Sequence, residues 1–321
     1  MIEATYVRDQ DDRRVVLPAS VGAAEIWQLR DGRAAYLNSL SGGSVGDQVA
    51  FSTTGQIVVP KASGVALLDG GKVYWDTANN VATYRRNNGR DFYLGRAVGD
   101  AAASDSSCTV NLNVQPDYSV DICRDAFVSV PVGTPAAGGF GFPLEVGGSW
   151  GLVLTATNEA QKVDLLSRDP ILPAARPIVE FAFCVEDRGA ASNPDFSIGL
   201  ATGTHASDFQ AIQSFAAISC VGNSFAINAQ SDNDVTDINP TDTTLTFTQG
   251  VALANRVECW IDCRDPNSVK FYVNGQRVLP ATTFAIKADA VHYLIAHLEK
   301  TASTATYRVW IDWLRARTAD H

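Results

Sequence analysis

The stretch Val257-Glu258-Cys259-Trp260-Ile261-Asp262, followed after a short break by Asn267-Ser268-Val269-Lys270-Phe271-Tyr272-Val273-Asn274-Gly275-Gln276-Arg277-Val278, decides the fold class. Successive side chains of a strand point to opposite faces, so Val269, Phe271 and Val273 share one side. Asn274-Gly275 is the pair a two-residue hairpin prefers, because both turn positions need positive φ, and Gln276-Arg277-Val278-Leu279 returns the chain. The passage therefore reads as strand, turn, strand, tight hairpin, strand.

Working outward, the same alternation recurs at Tyr307-Arg308-Val309-Trp310-Ile311-Asp312-Trp313-Leu314. It places Tyr307, Val309, Ile311 and Trp313 on one face and Trp310 on the opposite face with Arg308 and Asp312. Further strand-like runs are Trp150–Ala156, Gln161–Leu166, Pro177–Val185, Phe196–Ala201 and Ser224–Ala229. Helical evidence is confined to one or two turns at Ala206–Ala211. Ahead of these, brief strands recur about every ten residues between residues 45 and 114, with Gly, Asn and Asp between them, as in Val73-Tyr74-Trp75-Asp76-Thr77-Ala78-Asn79-Asn80-Val81. That spacing predicts a small barrel or sandwich. With 321 residues the chain has room for two domains, and the boundary falls near residues 116–125, giving 1–120 and 121–321. The expected fold class is all-β: a small N-terminal β-barrel or β-sandwich module followed by a larger antiparallel β-sandwich.

Composition removes several function classes. The net charge is −10, and no basic stripe is visible beyond Arg13-Arg14, Arg85-Arg86 and Arg315 with Arg317, so nucleic acid is not an expected partner. No apolar run approaches the ~20 residues that span a bilayer, and Met1–Asp9 lacks the basic start and apolar core of a signal peptide. The expectation is a chain made in a host cytoplasm, without a membrane partner. Cys108, Cys123, Cys184, Cys220, Cys259 and Cys263 match no zinc spacing and read as buried thiols. His205, His292 and His297 have no partner at a recognisable catalytic spacing, and no Gly-x-Ser-x-Gly elbow occurs.

Three sets of residues remain as candidates. Asp232, Asp234 and Asp237 offer hard oxygen donors in one loop, the beginning of a Ca2+ site, weighed against an acidic solvated turn. Trp260, Tyr272 and Trp310 are candidates for stacking on a sugar ring or for an interface, weighed against core packing. Glu258 and Asp262, four apart on a strand, share a face, as a pair of hydrolytic carboxylates would need to.

The segment from about residue 41 to 114 resembles the capsid cement, or head decoration, proteins of tailed bacteriophages. The resemblance rests on Val45-Gly46-Asp47-Gln48-Val49, on Ser63-Gly64-Val65-Ala66-Leu67-Leu68-Asp69-Gly70-Gly71-Lys72-Val73-Tyr74-Trp75-Asp76, and on Tyr93-Leu94-Gly95-Arg96-Ala97-Val98 before Thr109-Val110-Asn111-Leu112. It implies a small β fold bound to the outer face of an assembled shell, with the major capsid protein as partner, a place on the virion and no catalysis. Symmetry adds a homotrimer as the expected assembly. Tyr6, Val7 and Arg8, in an N-terminal arm running to Pro18, and Trp75 are the expected capsid contacts. About 200 further residues are foreign to that family. From about residue 125 to 318 the Val257–Val278 passage resembles the concanavalin or laminin-G type of jelly roll, which allows a glycan partner. Laminarinase-like jelly rolls carry Glu-x-Asp-x-x-Glu; the positions after Glu258 hold Trp260 and Cys263, so that motif is broken and the expected protein is not an enzyme.

Overall fold

A computed structural model describes residues 12–37, 41–122, 127–135, 150–189, 194–206 and 208–318. Tyr6, Val7 and Arg8 lie outside the described residues, as does Cys123. The chain divides into two compact units at Asp117/Tyr118. That is three residues earlier than the sequence suggests, because Tyr118 and Val120 are buried in the second unit.

The first unit opens with β1 (Asp12–Val16), β2 (Ile26–Gln28), β3 (Ala34–Leu37) and β4 (Gln48–Ser52), an antiparallel sheet in the order β1-β4-β3-β2. Leu17, Val21, Ala35, Leu37 and Phe51 form its small core, with the Trp27 ring 5.5 Å from Phe51. Val15–Pro18 is thereby corrected. It is not part of an arm reaching for a neighbour: β1 pairs with β4 of its own chain, and Leu17 is buried.

The next five strands are β5 (Gln56–Pro60), β6 (Lys72–Asp76), β7 (Val81–Thr83), β8 (Phe92–Ala97) and β9 (Ser107–Leu112), in the order β5-β9-β8-β6-β7. A parallel bridge from Lys61 to Ala82 brings the chain just past β5 onto β7, so the sheet curls toward a barrel around Val59, Val73, Ala82, Leu94 and Val110. The β6–β7 turn forms as the sequence indicates. The Asp76 carboxylate accepts from the Ala78 and Asn79 amides, and Asn80 adopts φ 55°. Asn113 ties the two sheets of this unit together. Its Nδ2 donates to the carbonyls of Ala34 (2.8 Å) and Thr53 (2.7 Å), and its Oδ1 accepts from the Ala34 amide (2.9 Å). Asn113→Asp keeps the acceptor but removes both donors, and is expected to lower this unit's stability by about 1–3 kcal/mol in urea unfolding.

The second unit is an antiparallel jelly-roll sandwich. In chain order its strands are β10 (Val120–Asp121), β11 (Phe127–Val132), β12 (Trp150–Leu154), β13 (Glu159–Ser167), β14 (Pro177–Asp187), β15 (Pro194–Ala201) and β16 (Ser214–Val221). They continue with β17 (Ala226–Asn233), β18 (Asp237–Thr246), β19 (Val257–Asp262), β20 (Lys270–Val273), β21 (Gln276–Val278), β22 (Tyr293–Ser303) and β23 (Tyr307–Thr318). One sheet runs β10-β23-β14-β19-β20-β21, with β12 also on β23; the other runs β11-β13-β22-β15-β16-β17-β18. Phe181, Phe183, Phe196, Ile218, Ile261, Phe271, Leu298, Val309 and Ile311 are among the residues packed between them. Each buried aromatic or aliphatic side chain contributes roughly 1.5–3 kcal/mol by leaving water, and this stripe holds the sheets together.

The Val269–Val278 hairpin forms in the predicted register, Phe271 opposite Val278 and Val273 opposite Gln276, with φ 49° at Asn274 and 80° at Gly275. One expectation needs correcting. In β23, Tyr307, Val309 and Ile311 are fully buried in the core, but Trp313 is not with them. A register shift against β14 between Ala182 and Phe183 inserts an extra residue, and Leu314 takes the inward place. The helical turn expected within Ala206–Ala211 is a single 3-10 turn at Phe209–Ala211.

Candidate functional site

An aromatic row lies on the solvent side of the β14 sheet. Strand register sets the neighbours: Arg277 opposite Tyr272, Tyr272 opposite Trp260, Trp260 opposite Glu180, and Glu180 opposite Arg315. All of these point away from the core, because their chain neighbours Phe181, Cys259, Ile261, Phe271 and Leu314 point in. Trp260 and Tyr272 meet edge to face at 6.4 Å. Tyr272 is buried at 7% exposure, while Trp260, Trp310 and Trp313 are half-buried. The bulge that removed Trp313 from the core puts it on this same surface, an outcome the alternation pattern could not show.

Trp310 sits opposite Gly151 on β12. A Cβ at position 151 would come within 2.4 Å of the indole, so the glycine is what lets the ring lie against the strand. The indole Nε1 donates to Glu186 Oε2 at 2.5 Å, and Arg308 pairs with the other oxygen of the same carboxylate at 2.9 Å. Trp313 has the guanidinium groups of Arg256 and Arg315 at 5.0 and 5.1 Å from its ring centre. Arg256 also pairs with Asp312, and lies 3.9 Å from Glu258. The rings are thus held by balanced ion pairs. The surface offers flat apolar faces rimmed by hydrogen-bonding groups, suited to stacking.

Beneath one end lies a buried knot. Glu180, 3% exposed, accepts from Arg317 Nε (2.8 Å), from Arg315 Nε (3.3 Å) and from the Tyr118 hydroxyl (2.8 Å). Burial alone would raise its pKa, but the two arginines and the Tyr118 hydroxyl outweigh it and hold the carboxyl below the usual range. Glu258 and Asp262, weighed above for hydrolysis, are structural here. Arg264 holds Asp262 with two bonds of 2.8 Å, and both carboxylates are buried.

The solvent side of the opposite sheet carries a second polar row, Asn228-Ser219-Ser197-His297-Asp164, one residue from each of five adjacent strands. All five are buried, and the Phe209 ring lies 5.2 Å from that of His297. His297 Nδ1 lies 2.5 Å from Asp164 Oδ1, and Lys162 donates to the other oxygen at 2.7 Å. Burial would push the imidazole pKa down; hydrogen bonds and charge from Asp164 and Glu299 prevail and hold it up at about 9. Nearby, the Lys300 ammonium is ringed by four carbonyls, those of Thr155 (2.5 Å), Thr157 (3.0 Å), Ser303 (2.8 Å) and Ala305 (2.9 Å). Sequence reasoning missed this face, since Asp164 and His297 are 133 residues apart and only the strand order brings them together.

The remaining candidates fare differently. Asp232, Asp234 and Asp237 sit at the tip of the β17–β18 hairpin, where Asp232 caps the Asp234 amide and Asp234 pairs with Lys287 at 2.6 Å. They do not converge as a Ca2+ site: among the described residues no group of three or more His, Cys, Asp or Glu is placed to hold a metal ion. Trp75 is only 5% exposed, and lines a cavity of about 560 Å³ in the first unit together with Tyr36, Ile57, Val59 and Pro60. Beside it Val58 is 71% exposed on β5. Cys108, Cys184, Cys220, Cys259 and Cys263 are buried thiols.

Comparison with known proteins adds one family. Residues 32–112 match the phage cement protein family, a segment that begins just before β3 and ends with β9. This supports a phage structural protein. No curated protein matches the chain in sequence. Among solved structures, the Emp47p carbohydrate recognition domain is similar at 13% identity and a TM-score of 0.41, covering 62% of this chain and 94% of that one. The laminarinase catalytic domain from Thermotoga maritima scores 0.40 at 12% identity, covering 58% and 82%. A carbohydrate esterase of the Shiga toxin-encoding bacteriophage phi24B scores 0.39 at 14%, covering 60% and 90%. Likeness of this degree carries no statement about ligand or activity.

Proposed function

We propose that this protein decorates a phage head: the first unit docks on the outer face of the assembled shell and brings the second unit to the particle surface. The observation that carries this reading is the cement-family match over residues 32–112. The mechanism is mass action. A ligand that binds the assembled shell, and not its dissociated or unexpanded subunits, stabilises the assembled state by its binding free energy. The partner is then the major capsid protein, and a homotrimer fits a site of local three-fold symmetry. Val58, exposed beside the Trp75 cavity, is the anchor this reading assigns to the shell contact.

Purified protein mixed with undecorated mature heads is expected to co-sediment with them in hundreds of copies per particle, and to raise the temperature at which the heads release DNA. Val58→Asp is expected to abolish co-sedimentation without changing the circular dichroism spectrum. Failure of the wild-type protein to bind intact heads would overturn the assignment.

A second reading is favoured by Trp310, half-buried against Gly151 beside the Arg308–Glu186 ion pair. Such a ring stacks on the apolar face of a sugar. In this reading the second unit attaches the particle to a neutral glycan. Loss of all glycan-array signal in Trp310→Ala, with head binding intact, is the expected result; an array with no signal from the wild-type protein would remove this reading and leave the first.

A further inference from the structure

We propose that Trp310, Glu186 and Arg308 form one binding site in the second unit, and that its ligand is a neutral pyranose ring presenting a vicinal diol. This rests on the glycan reading above and deepens it, because it names the part of the sugar that is recognised and the side chains that recognise it.

Two departures from regular strand structure meet at this point. In β14 the register against β23 shifts between Val185 and Asp187, which leaves Glu186 as the extra residue of a bulge. A bulge takes a side chain out of the regular alternation and re-aims it. Here it brings the Glu186 carboxylate to the indole Nε1 of Trp310 and to the guanidinium of Arg308, two residues that share a face of β23. In β12 the residue opposite Trp310 is Gly151. The three indole atoms nearest to the place of a Cβ at position 151 all belong to the six-membered ring, so that ring covers the glycine.

Trp310 is also the tryptophan of this sheet with a face to spare. Trp313 has the guanidinium groups of Arg256 and Arg315 against it, and Trp260 meets Tyr272 edge to face. Among the described residues, no guanidinium or second aromatic ring lies on Trp310, whose one face is turned to Gly151.

The polar edge of the ring offers donors and acceptors side by side. Glu186 accepts once on each oxygen, from Trp310 Nε1 at 2.5 Å and from Arg308 Nη1 at 2.9 Å, and a carboxylate oxygen has room for a second donor. Arg308 keeps further N–H groups beyond the one given to Glu186. Both side chains reach solvent, Arg308 at 44% exposure and Glu186 at 33%. A hydroxyl donates and accepts at once, so two adjacent hydroxyls give their hydrogens to Glu186 and take hydrogens from Arg308. The carboxylate and the guanidinium cancel in charge, so the pair offers no net attraction to an acidic or an amino sugar. A neutral ring needs none, and lays its C–H face on the indole.

Methyl β-glucoside, methyl β-galactoside and methyl α-mannoside present the diol in different arrangements. Each is titrated into the full chain beside its O3-methylated form, which keeps the ring but leaves no two hydroxyls adjacent; saturation-transfer NMR and tryptophan fluorescence read binding. Saturable binding of at least one glycoside, weakened about tenfold or more by O3-methylation, is the expected result. Glu186→Gln, which loses the charge and one acceptor, is expected to weaken the same glycoside by a similar factor, and Trp310→Ala to abolish its binding. The methylated ligands test the diol on the unaltered protein, so the result does not depend on whether a variant folds. A glycoside that needs Trp310 but binds equally well when O3-methylated, or equally well to Glu186→Gln, would overturn the diol assignment and leave the stacking reading in place. No saturable binding of any of these glycosides would overturn the assignment alone if the glycan array still gives signal, and both if the array is blank.

Discussion

Glu180→Ala is expected to destabilise the second unit by about 3–5 kcal/mol, since removing one member of a buried ion pair strands the other. What it strands is Arg317, 1% exposed, together with Arg315 and the Tyr118 hydroxyl. Glu180→Gln retains an acceptor for Tyr118 and should lose less, and Tyr118→Phe, which deletes one hydrogen bond, about 1 kcal/mol. Urea unfolding followed by tryptophan fluorescence reads all three. A Glu180→Ala protein as stable as Tyr118→Phe would show that the knot is dispensable. The linkage has a definite sign. Because folding lowers the pKa of Glu180, its contribution is present above the ordinary carboxylate value of 4.5 and is lost as pH falls through the lower folded-state value.

On the opposite face, Asp164→Ala is expected to cost a similar amount, about 3–5 kcal/mol, for the same reason. Asp164 is wholly buried, and its removal leaves both the Lys162 ammonium and the His297 imidazolium without their closest counter-charge. Here folding raises a pKa. The contribution of His297 is complete below 6.5 and disappears as pH rises through about 9. His292 works from the acid side: burial pushes it down to about 4, so the unfolded chain takes up the extra proton, and stability falls as pH drops below 6.5. Urea midpoints are therefore expected to peak near pH 6.5, falling on the acid side toward about 4 and on the alkaline side toward about 9. Asp164→Ala should flatten the alkaline limb and leave the acid one in place. An alkaline limb unchanged in that variant would contradict the assigned role of the Asp164–His297 pair.

The parts of this architecture that were legible in the sequence are those governed by neighbours along the chain. The Asn274-Gly275 hairpin announced its own register, the Asp76–Asn80 turn its caps, and the inward face of Tyr307, Val309 and Ile311 its period of two. The phage-cement stretch was legible too, and the matched segment, residues 32–112, reaches further toward the N-terminus than the motifs that suggested it. Legibility ended where a local rule was overruled from a distance. A bulge has no composition of its own, so the inward place expected for Trp313 went to Leu314. Strand β18, Asp237–Thr246, reads as a polar loop because it is an edge strand with many solvent-facing positions, and its partner β17 supplies the order that its own residues do not. The short strands β1 to β3 likewise depend on pairing with each other and with β4. Asp195, Glu299 and His297 carry no spacing signal, since strand order alone makes them neighbours.

The four carbonyls around Lys300 resemble the shell that a protein commonly builds for a loosely held inorganic ion. Here the guest is covalently part of the host. Dialysis, sequestering agents and dilution strip borrowed ions from a protein, but they have no purchase on a cation leashed to its own backbone. That corner of the sandwich is fastened once, at folding, and stays fastened whatever the ionic content of its surroundings.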